Sequence, residues 1–560
     1  MVTQSVRDGS VVTDLDDGQV VFHNGSVFDG RSFLPQGTVV RVKDGQLTSV
    51  GPQEPLNGAE LIDLQGGTLV PGFIDAHAHP VFAGNQLRHC DLREAGTADG
   101  YLDIIRSYAD THPDEEWITG GGWAMDAFPG GIPSCTLLDS VVADRPVFLP
   151  NRDGHGAWVN SRALELAGVD ARTPDPADGR IERDADGNPV GMLQEGASAL
   201  VGRFMPALTA DDWYEALLTA QDHLVALGVT GWQDAIIGDY QDGVDPLPTY
   251  LRAEQEQTLL ATVVGALWWD RNRDLDQLEH LLHRRDIAAQ GRRFVASSVK
   301  MMLDGIAENH TAAMLDPYLD SDGCAGDAGG LDFIDPDRLP VFVSALDREG
   351  FQVHFHALGD RAVRNALDAI AAARSAQPNS TQRHHLAHLQ VVHPDDIVRF
   401  AALQATANIQ SLWAQHDAQM DDLTIPYLGQ RRSGWQYPFR SLQDAGARMC
   451  AGSDWPVSSA NPFHALHVAV NRSLPRSAGG EGKEPFLPEQ AISFTSALAG
   501  YTSGSAAVNG VGNRTGALGV GLDADLAVVD ADLAHIAPTD IYAVQVRQTW
   551  IRGRLVHDTH

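Results

Sequence analysis

Apolar and polar positions alternate in two different ways along the chain, and the change marks its organisation. From about residue 205, short apolar runs alternate with amphipathic segments, which is typical of parallel strands joined by helices. The amphipathic segment after Thr209 has apolar residues at helical spacing, and Thr209 with Asp212 predicts a capping box at its start. Strands are predicted at 229–235, 259–268, 294–303, 351–357, 384–390, 403–410 and 447–453.

An eighth strand is predicted before this region. The apolar run 68–70 continues into 71–79, which we interpret as a buried strand that ends in His77 and His79. Eight strands that alternate with helices predict an α/β fold of the (β/α)8, TIM-barrel type. We expect the first barrel strand within 71–83 and the remainder of the barrel within 201–510.

The two ends of the chain share a pattern of short strands and turns. Residues 1–70 contain apolar runs around Asn24-Gly25 and Asp44-Gly45, pairs that favour hairpins. Residues 511–560 contain two further runs, at 524–530 and 544–551. We therefore expect both ends to build one small β-sandwich.

Residues 84–200 break the alternation, because they are rich in Gly, Pro and Asp. Helices are predicted there at 98–110 and 160–167. We interpret this region as an insertion after the first barrel strand that folds over the active site.

Composition narrows the functional classes. The chain has 560 residues and a formal net charge of -34, which argues against nucleic acids and anionic membranes as partners. None of its four cysteines forms a C-x-x-C pair. Residues 1–17 lack the features of a signal peptide, and no apolar run is long enough to span a bilayer, so we expect a cytoplasmic protein.

Candidate chemistry gathers at the predicted strand ends, where barrels of this type place their active sites. His77 and His79 point to the same side of an extended strand and could share one divalent ion, although such a pair also arises by chance. The other strand-end candidates are Lys300, His354, His356, His384, His385, His388 and Asp454.

Taken singly, each candidate has an ordinary structural explanation. Lys300 could extend to water, the histidines could pack in the core, and Asp454 could cap a helix. Taken together, they predict histidine ligands for one or two divalent ions, with zinc expected, which would lower the pKa of a bound water to about 7. Asp454 would take the water's proton and pass it to the leaving nitrogen. Lys300, if neutral, could react with carbon dioxide to give a carbamate that bridges two ions.

Several segments resemble the amidohydrolase superfamily, in particular its YtcJ-like branch (amidohydrolase family 3), and the resemblance covers nearly the whole chain. The matching segments are 71–79, 153–155, 160–164, 299–305, 356–362, 388–390, 452–456 and 516–526. The resemblance implies a metal centre built by His77, His79, His356, His388 and Asp454, with Lys300 as a carboxylated bridge. The strand pattern alone does not choose His356 over His354, or His388 over His384 and His385.

The resemblance also implies a reaction and a class of substrate. Activities known in this branch include hydrolysis of N-substituted formamides and other amides, so we expect a small-molecule hydrolase for C–N bonds other than peptide bonds. A homodimer is expected on the same ground. Candidate substrate contacts in the insertion are Trp123, His155, Trp158 and Glu195. His310 stands near a position where the family often has Arg, so it is either a substrate-side residue or a plain loop histidine.

Two other functions fit the same residues. A deaminase, or a hydrolase of cyclic amides or esters, would use the same scaffold, and a mononuclear centre without a modified lysine would favour it. A regulatory or binding protein without catalysis is the third hypothesis, and the presence of every ligand-type residue, including Asp454, speaks against it.

Overall fold

The fold was analysed in a computed structural model that describes residues 19–52, 59–93, 95–239, 245–320, 322–326, 328–480 and 482–559. The expectation that residues 1–17 are not a signal peptide lies outside the described residues. Across the described ranges, we find no helix with the length and apolar character needed to cross a membrane.

A parallel barrel forms the centre of the protein. Its strands β1 to β8, as found in the described residues, are Phe73–Ala78, Val229–Ile237, Thr262–Trp268, Phe294–Met302, Gln352–Ala357, His385–His388, Thr406–Ile409 and Arg448–Ala451. Each strand pairs in parallel with the next. Beyond the strand ends, the Asp454 amide donates to the His77 carbonyl (2.8 Å) and the His79 amide donates to the Trp455 carbonyl (2.8 Å). The predicted TIM-type barrel is confirmed.

Helices cover the outside of the barrel, which explains why its strands are apolar on both faces.

The helix Ala210–Ala226, which precedes β2, begins with the predicted capping box. Thr209 Oγ1 accepts from the Asp212 amide (3.2 Å), and Asp212 Oδ2 accepts from the Thr209 amide (2.8 Å). The α-helices of the described chain are Pro80–Leu87, Ala98–Thr111, Cys135–Asp139, Ser161–Ala167, Ala199–Gly202, Ala210–Ala226, Leu247–Gln255, Leu278–Ala288, Leu339–Arg348, Asp360–Ala376, Pro394–Leu403, Ile425–Ser433, Phe439–Asp444, Pro462–Asn471, Phe494–Ala499 and Ser505–Val508.

Strands from both ends of the chain form two further sheets that share an apolar core. One sheet contains Val20–His23, Thr38–Lys43, Gln46–Pro52 and Glu60–Asp63. The other contains Ser26–Val27, Thr68–Pro71, Leu526–Val529, Val546–Ile551 and Arg554–Asp558. The Asp44-Gly45 pair closes an antiparallel hairpin as predicted. The Asn24-Gly25 hairpin was wrong, because the strands on either side of that turn belong to different sheets.

The apolar run 68–70 and the strand predicted within 71–79 belong to different sheets. Thr68–Pro71 pairs with Leu526–Val529, whereas Phe73–Ala78 is β1 of the barrel. The break falls at Gly72, where a Cβ would lie 2.3 Å from the Thr230 side chain. The apolar sequence continues across this change of sheet, because both strands are buried.

The region after β1 has a sheet and apolar cores of its own. Among the described residues, that sheet contains Cys90–Asp91, Ile118–Gly121, Val147–Pro150, Gly156–Val159, Gly179–Arg183 and Pro189–Glu195. Its polar contacts to the barrel include Asn309 Nδ2 to Gln194 Oε1 (3.2 Å) and Gln419 Nε2 to Asp153 Oδ2 (3.3 Å). This region therefore forms one wall of the space above the strand ends.

Candidate metal centre

Side chains from three barrel strands converge on one carboxylate. Oδ1 of Asp454, just after β8, lies 3.1 Å from His77 Nε2 and 3.0 Å from His79 Nε2. Its Oδ2 lies 3.9 Å from His388 Nδ1 at the end of β6. In the described part of the chain, ligand atoms of His77, His388 and Asp454 lie within 4.8 Å of one another.

Within the described chain, several nitrogen atoms in this cluster are buried without a hydrogen-bond partner. They include Nδ1 and Nε2 of His388 and Nδ1 of His79. Burying a polar atom without a partner costs about 1–3 kcal/mol, so native structures seldom tolerate several in one place. A shared cation would satisfy them, and imidazole nitrogens with a carboxylate oxygen are donors that suit zinc. The residues therefore fit a divalent ion.

The protonation states of His77, His388 and Asp454 also suit the binding of a metal ion. Burial, with a contribution from Lys300, lowers the pKa of His77 to about 3. Burial also holds the pKa of His388 well below its ordinary value, so both rings are neutral, the form that binds metals. Although burial alone opposes its ionisation, contact with His77 and His79 holds the pKa of Asp454 well below its usual range.

Lys300 lies on β4 beside the cluster, with Nζ 3.5 Å from His77 Nε2. The residue is 2% exposed, so its amine does not extend to bulk water. Burial lowers the pKa of this amine to about 7, and a large neutral fraction is therefore available near neutral pH. The geometry is compatible with carbamate formation, which stays a prediction.

His356, on β5, completes the ring of histidines. Its ring centroid lies 4.5 Å from that of His388, and its Nε2 lies 3.3 Å from the Gly305 carbonyl oxygen. We refer to His77, His79, His356, His388 and Asp454 together as the histidine floor.

The structure separates the histidines that strand position alone left open. His354 lies behind the floor, with Nε2 2.8 Å from His77 Nδ1. His384 points elsewhere, because its Nδ1 accepts from the Val353 amide (3.0 Å) and its Nε2 faces Asp347 Oδ1 (3.1 Å). His385 contacts the Asn408 side chain (3.2 Å). These three support the barrel from within, and His354 also orients a floor residue.

Asp75 is a positioning residue that our sequence reasoning missed. Its Oδ1 accepts from the amides of His77 (3.1 Å) and Ser453 (2.9 Å), and its Oδ2 accepts from Ser453 Oγ (2.5 Å). It therefore joins the end of β1 to the loop that carries Asp454. Burial raises its pKa to about 6. Its place in the 71–79 segment, two residues before His77, was the available signal.

Two of the floor residues have strained backbone conformations. His388 and Asp454 have left-handed φ values of 80° and 56°, conformations that cost about 1–3 kcal/mol for non-glycine residues and cluster at functional sites. Hydrogen bonds hold them there: Gln410 Oε1 accepts from the His388 amide (2.6 Å), and the Asp454 amide donates to His77. These hydrogen bonds fix the backbone that carries the two side chains.

Above the floor lies a cavity of about 670 Å³, lined in part by His155, His356, His388 and Asp454. His155 comes from the insertion and faces Glu195, with Nδ1 2.9 Å from Oε2. Glu195 also accepts from Thr311 Oγ1 (2.8 Å), and its own backbone is strained at φ 51°. Although burial opposes the charge, Glu195 raises the pKa of His155. Glu195 therefore orients His155 toward the cavity.

The remaining candidates for substrate contact lie away from the cavity wall. Trp123 and Trp158 are fully buried in the insertion, 6.0 Å apart between ring centroids, and each indole donates to a backbone carbonyl. His310 packs against the rings of Tyr318 and Tyr427. We assign none of the three to substrate, because each has a packing role where it lies.

The barrel carries the histidine floor at the ends of its strands, where His77, His388 and Asp454 could hold a metal ion. The chain belongs to the amidohydrolase family, whose sequence model matches residues 60–557. This confirms the resemblance drawn from the motifs.

Relatives match the chain over nearly its whole length. It is 30% identical to Protein LONG AFTER FAR-RED 3 of Arabidopsis thaliana (95% of this chain, 91% of that protein). It is 27% identical to N-substituted formamide deformylase of Arthrobacter pascens (98% and 99%) and 26% identical to YtcJ of Bacillus subtilis strain 168 (96% and 99%). A crystal structure of an uncharacterized metal-dependent hydrolase from Pyrococcus furiosus shares the fold, with TM-score 0.67 and 24% identity over 91% of this chain and 98% of that one.

Proposed function

We propose that this protein is a metal-dependent hydrolase that cleaves the C–N bond of a small amide, either an N-substituted formamide or another N-acyl compound. The observation that carries the proposal is the convergence of His77, His388 and Asp454, whose ligand atoms lie within 4.8 Å of one another and are in part without hydrogen-bond partners. The similarity to N-substituted formamide deformylase supports the choice of bond.

The histidine floor would hold the metal, with zinc the expected ion. A divalent ion bound there would lower the pKa of a coordinated water to about 7 and polarise the substrate carbonyl. Lys300, as a carbamate, would add an anionic oxygen ligand for a second ion. Its buried amine, with a pKa near 7, would lose one proton and form one N–C bond to carbon dioxide.

Asp454 is the proton carrier in this proposal. Its Oδ1 faces the two histidines of β1, so Oδ2 is free to accept a proton from the attacking water. Returning that proton to the amide nitrogen lets the amine leave as the C–N bond breaks, because a neutral amine is a far better leaving group than an amide anion. The strained backbone of Asp454 holds the carboxylate in position for both transfers.

His155 would orient the substrate. Glu195 contacts Nδ1 of His155, so Nε2 of the same ring is directed to the cavity. There Nε2 can donate a hydrogen bond to the substrate carbonyl oxygen. Donors aimed at the oxygen that gains charge in the transition state lower the barrier, because they need no reorganisation during the reaction.

The test combines metal analysis with turnover. Freshly purified protein would be analysed for its metal content per chain and then assayed for formate release from N-alkylformamides. We expect metal to be bound and formate to be released at rates that depend on the metal. Bound metal with no amide hydrolysis, but with ester hydrolysis or deamination, would favour the alternative reactions. No metal uptake, even with added zinc and bicarbonate, would sink the hydrolase proposal.

A further inference from the structure

One wall of the cavity is rich in hydrogen-bond acceptors that the proposed reaction does not use. It is formed by residues of the insertion and of the loops after β4, β6 and β7. We call it the acceptor wall and define it as Asp153, Glu308, Gln390, Gln415 and Asp417, all of which line the cavity.

Two of these acceptors are buried and lack partners. Oε1 of Gln390 and Oε1 of Gln415 make no hydrogen bond within the described chain, although the residues are only 1% and 7% exposed. The orientation of the Gln390 amide is settled by its surroundings, since its Nε2 faces two acceptors, Glu308 Oε1 (3.4 Å) and Gln436 Oε1 (3.5 Å). The free atom is therefore an oxygen, and it needs a donor.

Nearby cations do not cancel the effect of burial on two carboxyl groups of the wall. Burial, reinforced by Glu308, raises the pKa of Asp153 to about 7 despite the opposing effect of Arg152. Burial, with Asp126 and Glu308, raises the pKa of Asp417 to about 6 despite Lys483. A carboxylate in this state gains from a nearby positive charge.

Cations at the cavity do not reverse this balance. Arg93 also lines the cavity, but both oxygens of Asp91 already accept from its guanidinium, at 2.8 and 2.7 Å. Arg152 lies beside Asp153 in the chain and leaves the pKa of that carboxyl raised. Away from the histidine floor and His155, an anionic substrate group would therefore meet the carboxyl groups of Asp153, Glu308 and Asp417 and the guanidinium of Arg152.

We propose that the acceptor wall is a subsite for a positively charged nitrogen, so that the preferred substrates are amides with an ammonium group separate from the scissile bond. This rests on the proposed amide hydrolysis, with the floor holding the amide and the wall holding the ammonium. A cavity of about 670 Å³ is large enough to hold both parts of such a molecule.

A matched substrate series tests the preference. N-formyl-1,5-diaminopentane, N-pentylformamide and 6-formamidohexanoate have similar lengths and differ in the charge at the far end. We expect kcat/KM to be about tenfold higher for the cation than for the neutral compound, as charge-assisted hydrogen bonds allow, and lowest for the anion. Equal values for the cationic and neutral compounds, or the highest value for the anion, would overturn the proposal.

A variant that removes one charge from the acceptor wall provides a second test. Glu308→Gln keeps an oxygen that can accept from Thr424 Oγ1, a hydrogen bond of 3.0 Å in the native protein, but removes the charge. We expect the preference for the cation to fall about tenfold, with the neutral compound unaffected. Asp422→Asn is the control, because it removes an exposed carboxylate two residues before Thr424 without touching the cavity. An unchanged preference in Glu308→Gln would contradict the subsite.

Binding without turnover separates this proposal from the proposed function. Calorimetry would compare pentylamine, which is protonated at pH 7.5, with the neutral 1-pentanol on the metal-loaded protein. Tighter binding of the amine, weakened by Glu308→Gln but not by Asp422→Asn, would support the subsite even if no formamide is hydrolysed. Equal binding of the two compounds, or tighter binding of the alcohol, would overturn it even if formamides are hydrolysed.

Discussion

The histidine floor and the acceptor wall face the same cavity but are built in different ways. Floor residues lie at the ends of β1, β5, β6 and β8, and hydrogen bonds hold His388 and Asp454 in strained backbone conformations. Wall residues come from loops and from the insertion, and two of their oxygens have no hydrogen-bond partner among the residues that the structure describes. Catalytic residues at strand ends are held in precise positions by the barrel. Residues on loops that select the substrate can change without disturbing the barrel.

The largest expected effect tests whether the floor carries the proton transfer. Asp454→Asn keeps the shape of the side chain but removes the proton acceptor, so kcat should fall by about 10²- to 10⁴-fold, the usual contribution of a general base. Kinetics and metal content should be measured on the same samples. Activity within tenfold of the native protein, with metal still bound, would show that Asp454 is not the base.

Metal retention distinguishes the floor from histidines that only support the barrel. His388→Ala removes a ring whose two nitrogens lack partners, and we expect the bound metal to be lost. His384→Ala, on the segment leading into the same strand, removes a contact to Asp347 and should lower stability by about 1–3 kcal/mol while metal stays bound. Elemental analysis after dialysis measures the first effect, and thermal unfolding measures the second. Equal metal content in the two variants would contradict the assignment.

Substitution of His354, which lies behind the histidine floor, should have a smaller effect on metal binding. His354→Phe keeps an aromatic ring but removes the 2.8 Å contact to His77 Nδ1. Partners that orient a metal-binding histidine typically contribute 10- to 100-fold in affinity, so we expect a loss in that range. Competition with a chelator gives the affinity. His385→Phe, which changes a ring facing Asn408, is the matched control and should leave affinity unchanged.

The smallest effect is expected at the wall and depends on pH. Because burial raises the pKa of Asp153 from 3.8 to about 7, its protonated form adds stability below pH 4 that is lost as the pH rises through 7. Asp153→Asn lacks this loss, so its melting temperature should fall less than that of the native protein between pH 5 and pH 8. Calorimetry with excess metal at both pH values measures the difference. An identical fall in both proteins would show that folding does not raise the pKa of Asp153.

Local patterns foretold much of the fold. Alternation of apolar runs and helical segments predicted the barrel, and Thr209 with Asp212 predicted a capping box that is present. The alternating pattern and the capping box both depend on residues only a few positions apart, so they can be read from the sequence. The apolar run at 68–70 did not show which sheet contains it, since a buried strand has the same pattern in either sheet.

Candidate residues were harder to assign than elements. Strand ends pointed to His77, His79, Lys300 and Asp454, but position alone could not choose between His354 and His356. Both alternate to the same side of β5, and their depth along the barrel axis decides which reaches the cavity. Trp123 and Trp158 seemed suited to a pocket wall, yet they pack inside the insertion. The expected homodimer stays a prediction.

By itself, the sequence determined the class of fold, the strand ends that carry chemistry and the family to which the chain belongs. These follow from periodicity and from short motifs, whose physical causes act over a few residues. The tertiary structure alone decided which histidines share the carboxylate of Asp454, how Asp75 joins β1 to the loop after β8, and which acceptors meet in one wall. Those contacts join residues hundreds of positions apart, and only the closed barrel brings them together.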